Sequence, residues 1–116
     1  MLLPRRGKSR ISVAMDARDT LRRRIEEKRD QIIEMQRDLT AVPALAPQNG
    51  GTGEWEKAQV VVRWLTRLCL GTCESIPAPD PRVPKGERPN LLLTIPSRVS
   101  DRSLWIMSHM DVVPPG

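Results

Sequence analysis

From Asp16 to Leu39 the apolar residues Leu21, Ile25, Ile32, Met35 and Leu39 follow a three-and-four rhythm that only Lys28 interrupts. That spacing predicts an amphipathic helix whose apolar stripe packs into a core. Asp16 or Asp19 can cap it and place negative charge at the positive end of its dipole, and Pro43 stops any continuation. The repeat is too short to argue for a coiled coil. Ala41 to Gly53 reads AVPALAPQNGGTG, with two Pro, three Gly and an Asn, and is expected to be a loop. Its glycines lack the Lys-Ser or Lys-Thr pair, and the preceding strand, of a phosphate-cradling loop. A second helix follows. Thr52 is its expected cap, Glu54 and Glu56 lie in its first turn, and Trp55, Ala58, Val62, Leu65 and Cys69 fall on one face. Gly71 is placed to end it. Trp55 and Trp64, at helical spacing, are read as core or core-margin residues.

Beyond Gly71 the pattern changes period. Glu74 to Glu87, ESIPAPDPRVPKGE, carries four Pro and fits an edge strand running into a surface loop. Asn90 to Ile95, NLLLTI, and Leu104 to Met107, LWIM, are short apolar runs separated by the polar break PSRVSDRS. They predict an antiparallel hairpin covered on both faces, as in a helix-sheet-helix layer. The expected fold class is therefore α/β: two helices, then a short mixed or antiparallel set of strands.

Composition sharpens this picture in three ways. The chain has no Phe or Tyr and three Trp among its 116 residues, so its core must be aliphatic. Its net charge of +5 is concentrated at one end. Residues 1–29 hold ten Lys or Arg against four acids, net +6, whereas residues 30–116 are close to neutral. Such a basic end can contact nucleic acid or an anionic membrane, and is read here as a solvated arm, with residues 1–15 a disordered extension of a domain spanning 16–116. No aromatic platform interleaves the basic residues, so no specific nucleic-acid readout is expected. Cys69 and Cys73, four apart with no second pair, are read as buried free thiols of a reducing compartment rather than as metal ligands. No signal-peptide core or membrane span is present in the sequence, and a cytoplasmic location is expected.

The residues with the clearest chemistry close the chain. His109 is its only histidine, and Asp111 follows two residues later, directly after the LWIM run. On a strand, residues two apart share a face, so both side chains can enter one crevice. There a neutral imidazole can ligate zinc through one nitrogen while the carboxylate accepts a hydrogen bond from the other. By spacing alone His-x-Asp is a weak signal, and a closed zinc site needs three or four protein ligands.

The string SHMDVVPPG after an apolar strand resembles the first metal-binding signature of the zinc-dependent amidohydrolase and metallopeptidase superfamily. That superfamily includes acetylornithine deacetylase, succinyl-diaminopimelate desuccinylase, aminoacylase and carboxypeptidase G. Upstream, LTAVPALAPQNGGTGEWEKAQVVVRWL is similar to the family's opening helix end, active-site loop and second helix. RPNLLLTIP and SLWIMSHMD are similar to its paired strands. The resemblance covers about residues 16–116 and is greatest toward archaeal and bacterial deacylase-like members. It implies that His109 is a ligand of one of two zinc ions, with cobalt or manganese as possible substitutes. It also implies that Asp111 is the catalytic-site carboxylate orienting His109, and that Val112, Pro114 and Gly116 are the motif's structural tail. The implied reaction is cleavage of the amide bond of a small N-acyl amino acid or peptide, by a complete enzyme in which oligomers occur. The family's bridging Asp, Glu-Glu pair, further acidic ligand and late His have no counterpart here. The expectation is therefore the N-terminal part of such a catalytic domain, inactive by itself. The alternative is a small basic module binding nucleic acid or an acidic partner through Arg5 to Arg29.

Overall fold

The computed structural model describes residues 10–99 and 101–115, and burial from Asp16 onward. Its elements are three α-helices followed by short antiparallel strands, a mixed α/β chain. Of the expected disordered extension, residues 1–9 lie outside the described residues, and Arg10 onward is helical. The chain divides into two compact units, Met1–Glu34 and Met35–Gly116.

In the first unit, α1 spans Arg10–Glu27 and α2 begins at Arg29, continuing to Ala41. The single expected helix is thus two, and the turn between them is Lys28, the residue that breaks the apolar rhythm. The Lys28 N–H donates to the Ile25 carbonyl at 3.1 Å, a tightened turn, before the α-helical pattern resumes from the Ile32 N–H to the Lys28 carbonyl at 2.9 Å. Because α1 starts at Arg10, Asp16 and Asp19 lie inside it and do not cap it. Nor does the stripe form a core: Leu21 is 59% exposed and Ile25 53%.

The second unit holds the buried residues. Ala44, Ala46, Ala58, Val60, Trp64 and Val83 form its small core. The 44–53 loop folds tightly on itself through the Gly53 N–H to Leu45 carbonyl bond at 3.0 Å and a 3₁₀ turn, Pro47–Asn49. A Cβ at Gly51 would lie 2.0 Å from the Leu45 carbonyl oxygen, so only glycine fits.

Helix α3, Trp55–Leu68, starts two residues later than a Thr52 cap requires, and its N-cap, Glu54, makes no side-chain cap hydrogen bond. Its buried stripe runs through Lys57, Ala58, Val60 and Trp64, displaced from the expected Val62, Leu65 and Cys69 face, of which Ala58 alone is buried. Trp64 meets the core expectation, and its indole N–H donates to Asp38 of α2 at 2.9 Å. Trp55 lies at the margin, half-buried. The helix ends at Cys69, left-handed at φ 48°, not at Gly71. Gly71 instead lets two strands approach, since a Cβ there would lie 2.1 Å from the Thr94 carbonyl oxygen. The cysteines are free, but Cys69 is exposed and Cys73 half-buried, which corrects the expectation of buried thiols.

The strands form one long antiparallel hairpin in two ladders. β1, Thr72–Ser75, pairs with β4, Leu91–Thr94, and β2, Ala78–Pro79, pairs with β3, Glu87–Arg88. Pro77 and Pro89 have no N–H to donate, which explains the interruption between the ladders. NLLLTI is therefore a strand as expected, but its partner is β1, not LWIM. Leu104, Trp105, Ile106 and Met107 form no strand and are 71–90% exposed. β1 occupies the edge of β4 that the sequence pattern predicts for them, and among the described residues no other strand covers the opposite edge.

Candidate functional site

The far end of the hairpin is clamped to the start of α3 by three consecutive residues. Gly53 lies against Val83, where an added Cβ would be 2.9 Å from Val83 Cγ1. The Arg88 guanidinium donates to both oxygens of the Glu54 carboxylate, through Nε at 2.8 Å and through its terminal nitrogen. Lys85 sits over the Trp55 ring, 5.4 Å from its centroid. The Glu54 side chain is 6% exposed and that of Arg88 29%, so this bidentate pair is largely removed from water. Its hydrogen bond to Glu54 raises the Arg88 pKa above the ordinary arginine value, with the Asp111 carboxylate adding to the same effect. At the hairpin tip, Asp80 accepts from the Arg82 backbone N–H and from its guanidinium at 2.7–3.1 Å, which holds the Asp80 carboxyl down at about 2.

After the hairpin the chain runs through the exposed 104–107 segment and returns beside the 44–46 loop. The Val112 N–H donates to the Ala44 carbonyl at 3.0 Å, and Leu45 and Val112 form an isolated parallel bridge. This bridge places His109 and Asp111 on the wall of an open groove of about 1220 Å³. Other walls come from the end of α2, the start of α3 and the inner positions of the hairpin. Leu39, Val61, Leu65 and Leu91 supply apolar surface to it, and Glu54, Lys57 and Arg88 supply charge.

His109 and Asp111 do come together. His109 Nδ1 lies 3.1 Å from the Asp111 carboxylate and 3.0 Å from its backbone carbonyl. Both partners are acceptors, so Nδ1 is the nitrogen that carries a proton, and the tautomer this favours presents the lone pair on Nε2. The setting differs from the expectation of a buried strand end. The His109 side chain is 83% exposed and that of Asp111 42%, on a segment that is not a strand. The contact survives because it is local: it spans two residues and needs no strand around it.

Among the described residues no three His, Cys, Asp or Glu side chains gather to hold a metal ion. The pair fits one corner of a zinc site, an imidazole with its orienting carboxylate, and does not by itself complete one. Neither Lys57 nor the pairing of Glu54 with Arg88 is foreshadowed by the sequence pattern. A lysine in an amphipathic helix is ordinary, and the two ends of the ion pair lie 34 residues apart. No helix among the described residues is long and apolar enough to cross a membrane.

No family model matches the chain, and no match was found among curated proteins or solved structures.

Proposed function

We propose that this chain carries the first metal-ligand motif of a two-zinc amidohydrolase acting on small N-acyl amino acids or peptides. In this reading His109 is a ligand through Nε2, and Asp111 fixes its tautomer and orientation. The observation supporting it is the Nδ1 contact to Asp111, which leaves Nε2 as the nitrogen available to a metal on a residue that lines the groove. Bound zinc would polarise an amide carbonyl and activate a water. The role of Asp111 is to hold the imidazole ready, and the role of the apolar groove walls is to receive the apolar part of the substrate. Because no three His, Cys, Asp or Glu side chains gather among the described residues, this reading assigns the remaining ligands and the general base to further polypeptide. The chain is accordingly proposed to be the N-terminal part of a helix-sheet-helix catalytic domain and inactive alone.

The test is hydrolysis of a panel of N-acetyl amino acids by the protein isolated natively from its source cells, with whatever polypeptide accompanies it. Release of amine and carboxylate, stopped by a chelator and absent in His109→Ala, is the expected result. Absence of hydrolysis, or hydrolysis indifferent to chelator, would overturn the reading.

One observation favours a second reading, a basic interaction module. Arg18, Arg22, Arg23 and Arg24 of α1 are all exposed, so phosphate neutralisation is open to them. Tight, sequence-selective nucleic-acid binding at physiological salt would promote that reading over the hydrolase.

A further inference from the structure

Five charged or titratable residues line the groove: Glu54, Lys57, Arg88, His109 and Asp111. Four are already matched. Glu54 holds Arg88, and Asp111 accepts from His109. Lys57 makes no hydrogen bond or ion pair with any described residue, although it is only 9% exposed. Its aliphatic stem is buried while its unpaired ammonium is left as a cation that an anion can meet. Among the described residues no sealed side-chain nitrogen lacks a partner, so the Lys57 ammonium keeps an opening, and the groove is the space that Lys57 lines.

A second observation points the same way. Lys57 lies in the first turn of α3, a 14-residue helix whose N-terminus has no side-chain cap. The positive end of the dipole there favours negative charge, part of which Glu54 and Glu56 already bring to it. A cation added to that end strengthens the preference.

We propose that the groove binds a monocarboxylate with an apolar body, its carboxylate paired to Lys57 at the start of α3. A single charge is favoured over a dianion such as phosphate because the Asp111 carboxylate also lines the groove and repels further negative charge. The apolar body follows from Leu39, Val61, Leu65 and Leu91 on the same walls. An N-acyl amino acid has this chemistry, but the site stands without any metal at His109.

Hexanoate is a suitable probe, titrated into the chain by calorimetry and by NMR of the backbone amides, with inorganic phosphate as the contrasting arm. Saturable hexanoate binding is expected, with shifts at Glu56, Lys57 and Ala58. Lys57→Met should weaken it at least roughly tenfold, the size of one charge-assisted contact. Lys57→Arg should retain most of it, and Trp105→Ala, at a residue outside the groove lining, should leave it unchanged. Should Lys57→Met fail to fold, the Lys57 Cε and Nζ signals of the unsubstituted chain must still move on hexanoate addition. Equal affinity in Lys57→Met, unmoved Lys57 signals, or phosphate binding more tightly than hexanoate would each overturn the proposal. If hexanoate binds while zinc does not perturb His109, the metal reading fails and the carboxylate site stands.

Discussion

The two tryptophans Trp64 and Trp105 mark two regions held in different ways. Trp64 is 4% exposed, donates to Asp38 and lies beneath the Arg67 guanidinium, within the unit that α3 and the hairpin build together. Trp105 is 71% exposed on a segment tied to the rest by the bridge at Leu45 and Val112. Around Trp64, side chains far apart in sequence fix one another. Around His109, order is local, one imidazole held by a carboxylate two residues away. Stability and candidate chemistry thus reside in different parts of the second unit, and substitutions should separate them.

The largest effect should come from the tryptophans themselves. Trp64→Ala is expected to destabilise by about 3–5 kcal/mol, the usual loss for an aromatic core residue, whereas Trp105→Ala should stay within about 0.5 kcal/mol. Denaturant unfolding of each variant measures both. Similar midpoints for the two would erase the distinction between the regions.

Next in size is the clamp between α3 and the hairpin. Glu54→Gln leaves the Arg88 guanidinium in place without its counter-charge, and should cost roughly 2–3 kcal/mol, below a fully sealed pair because Arg88 is 29% exposed. Adding Arg88→Met should recover part of that loss, since the uncompensated charge disappears. A double variant as unstable as the sum of the singles would mean the two residues are not coupled.

What the sequence makes legible follows the same division. Elements governed by neighbouring residues can be read from it. The loop at 41–53 is set by its Gly and Pro, the α3 helix by its period, the β4 strand by NLLLTI, and the His109 to Asp111 contact by a spacing of two. The break at Lys28 is visible as an interruption of the repeat, although the rhythm on either side of it predicts one continuous helix. Features that depend on distant partners are not legible. β4 pairs with Thr72–Ser75, where Gly71 lets the two backbones meet, and not with Leu104–Met107, and periodicity carries no information about which strand arrives. The α3 stripe turns toward Val60 and Trp64 because the hairpin and α2 lie there. The cap at Glu54 loses its side chain to Arg88, a contact across 34 residues.

The smallest effect concerns pH at the hairpin tip. In the folded chain Asp80 stays ionised down to about 2 because Arg82 holds it, whereas an unfolded Asp protonates near 3.9. The folded value is the lower, so the contact contributes stability above about pH 4, and that contribution fades as pH falls through the folded value. Between pH 5 and pH 2 the unsubstituted chain should therefore lose more thermal stability than Asp80→Asn. Parallel melting curves would remove Asp80 from the account.

The most direct measurement is the nitrogen NMR of the chain's one imidazole, with and without zinc. Before metal, the neutral form of His109 should show a protonated Nδ1 and an unprotonated Nε2. Zinc should then shift Nε2 saturably, and Asp111→Asn should weaken that binding on the order of 10- to 100-fold, the usual size of losing the group behind a ligand. An averaged pair of tautomers untouched by zinc, and unchanged in Asp111→Asn, would show that the pair neither orients the ring nor serves a metal.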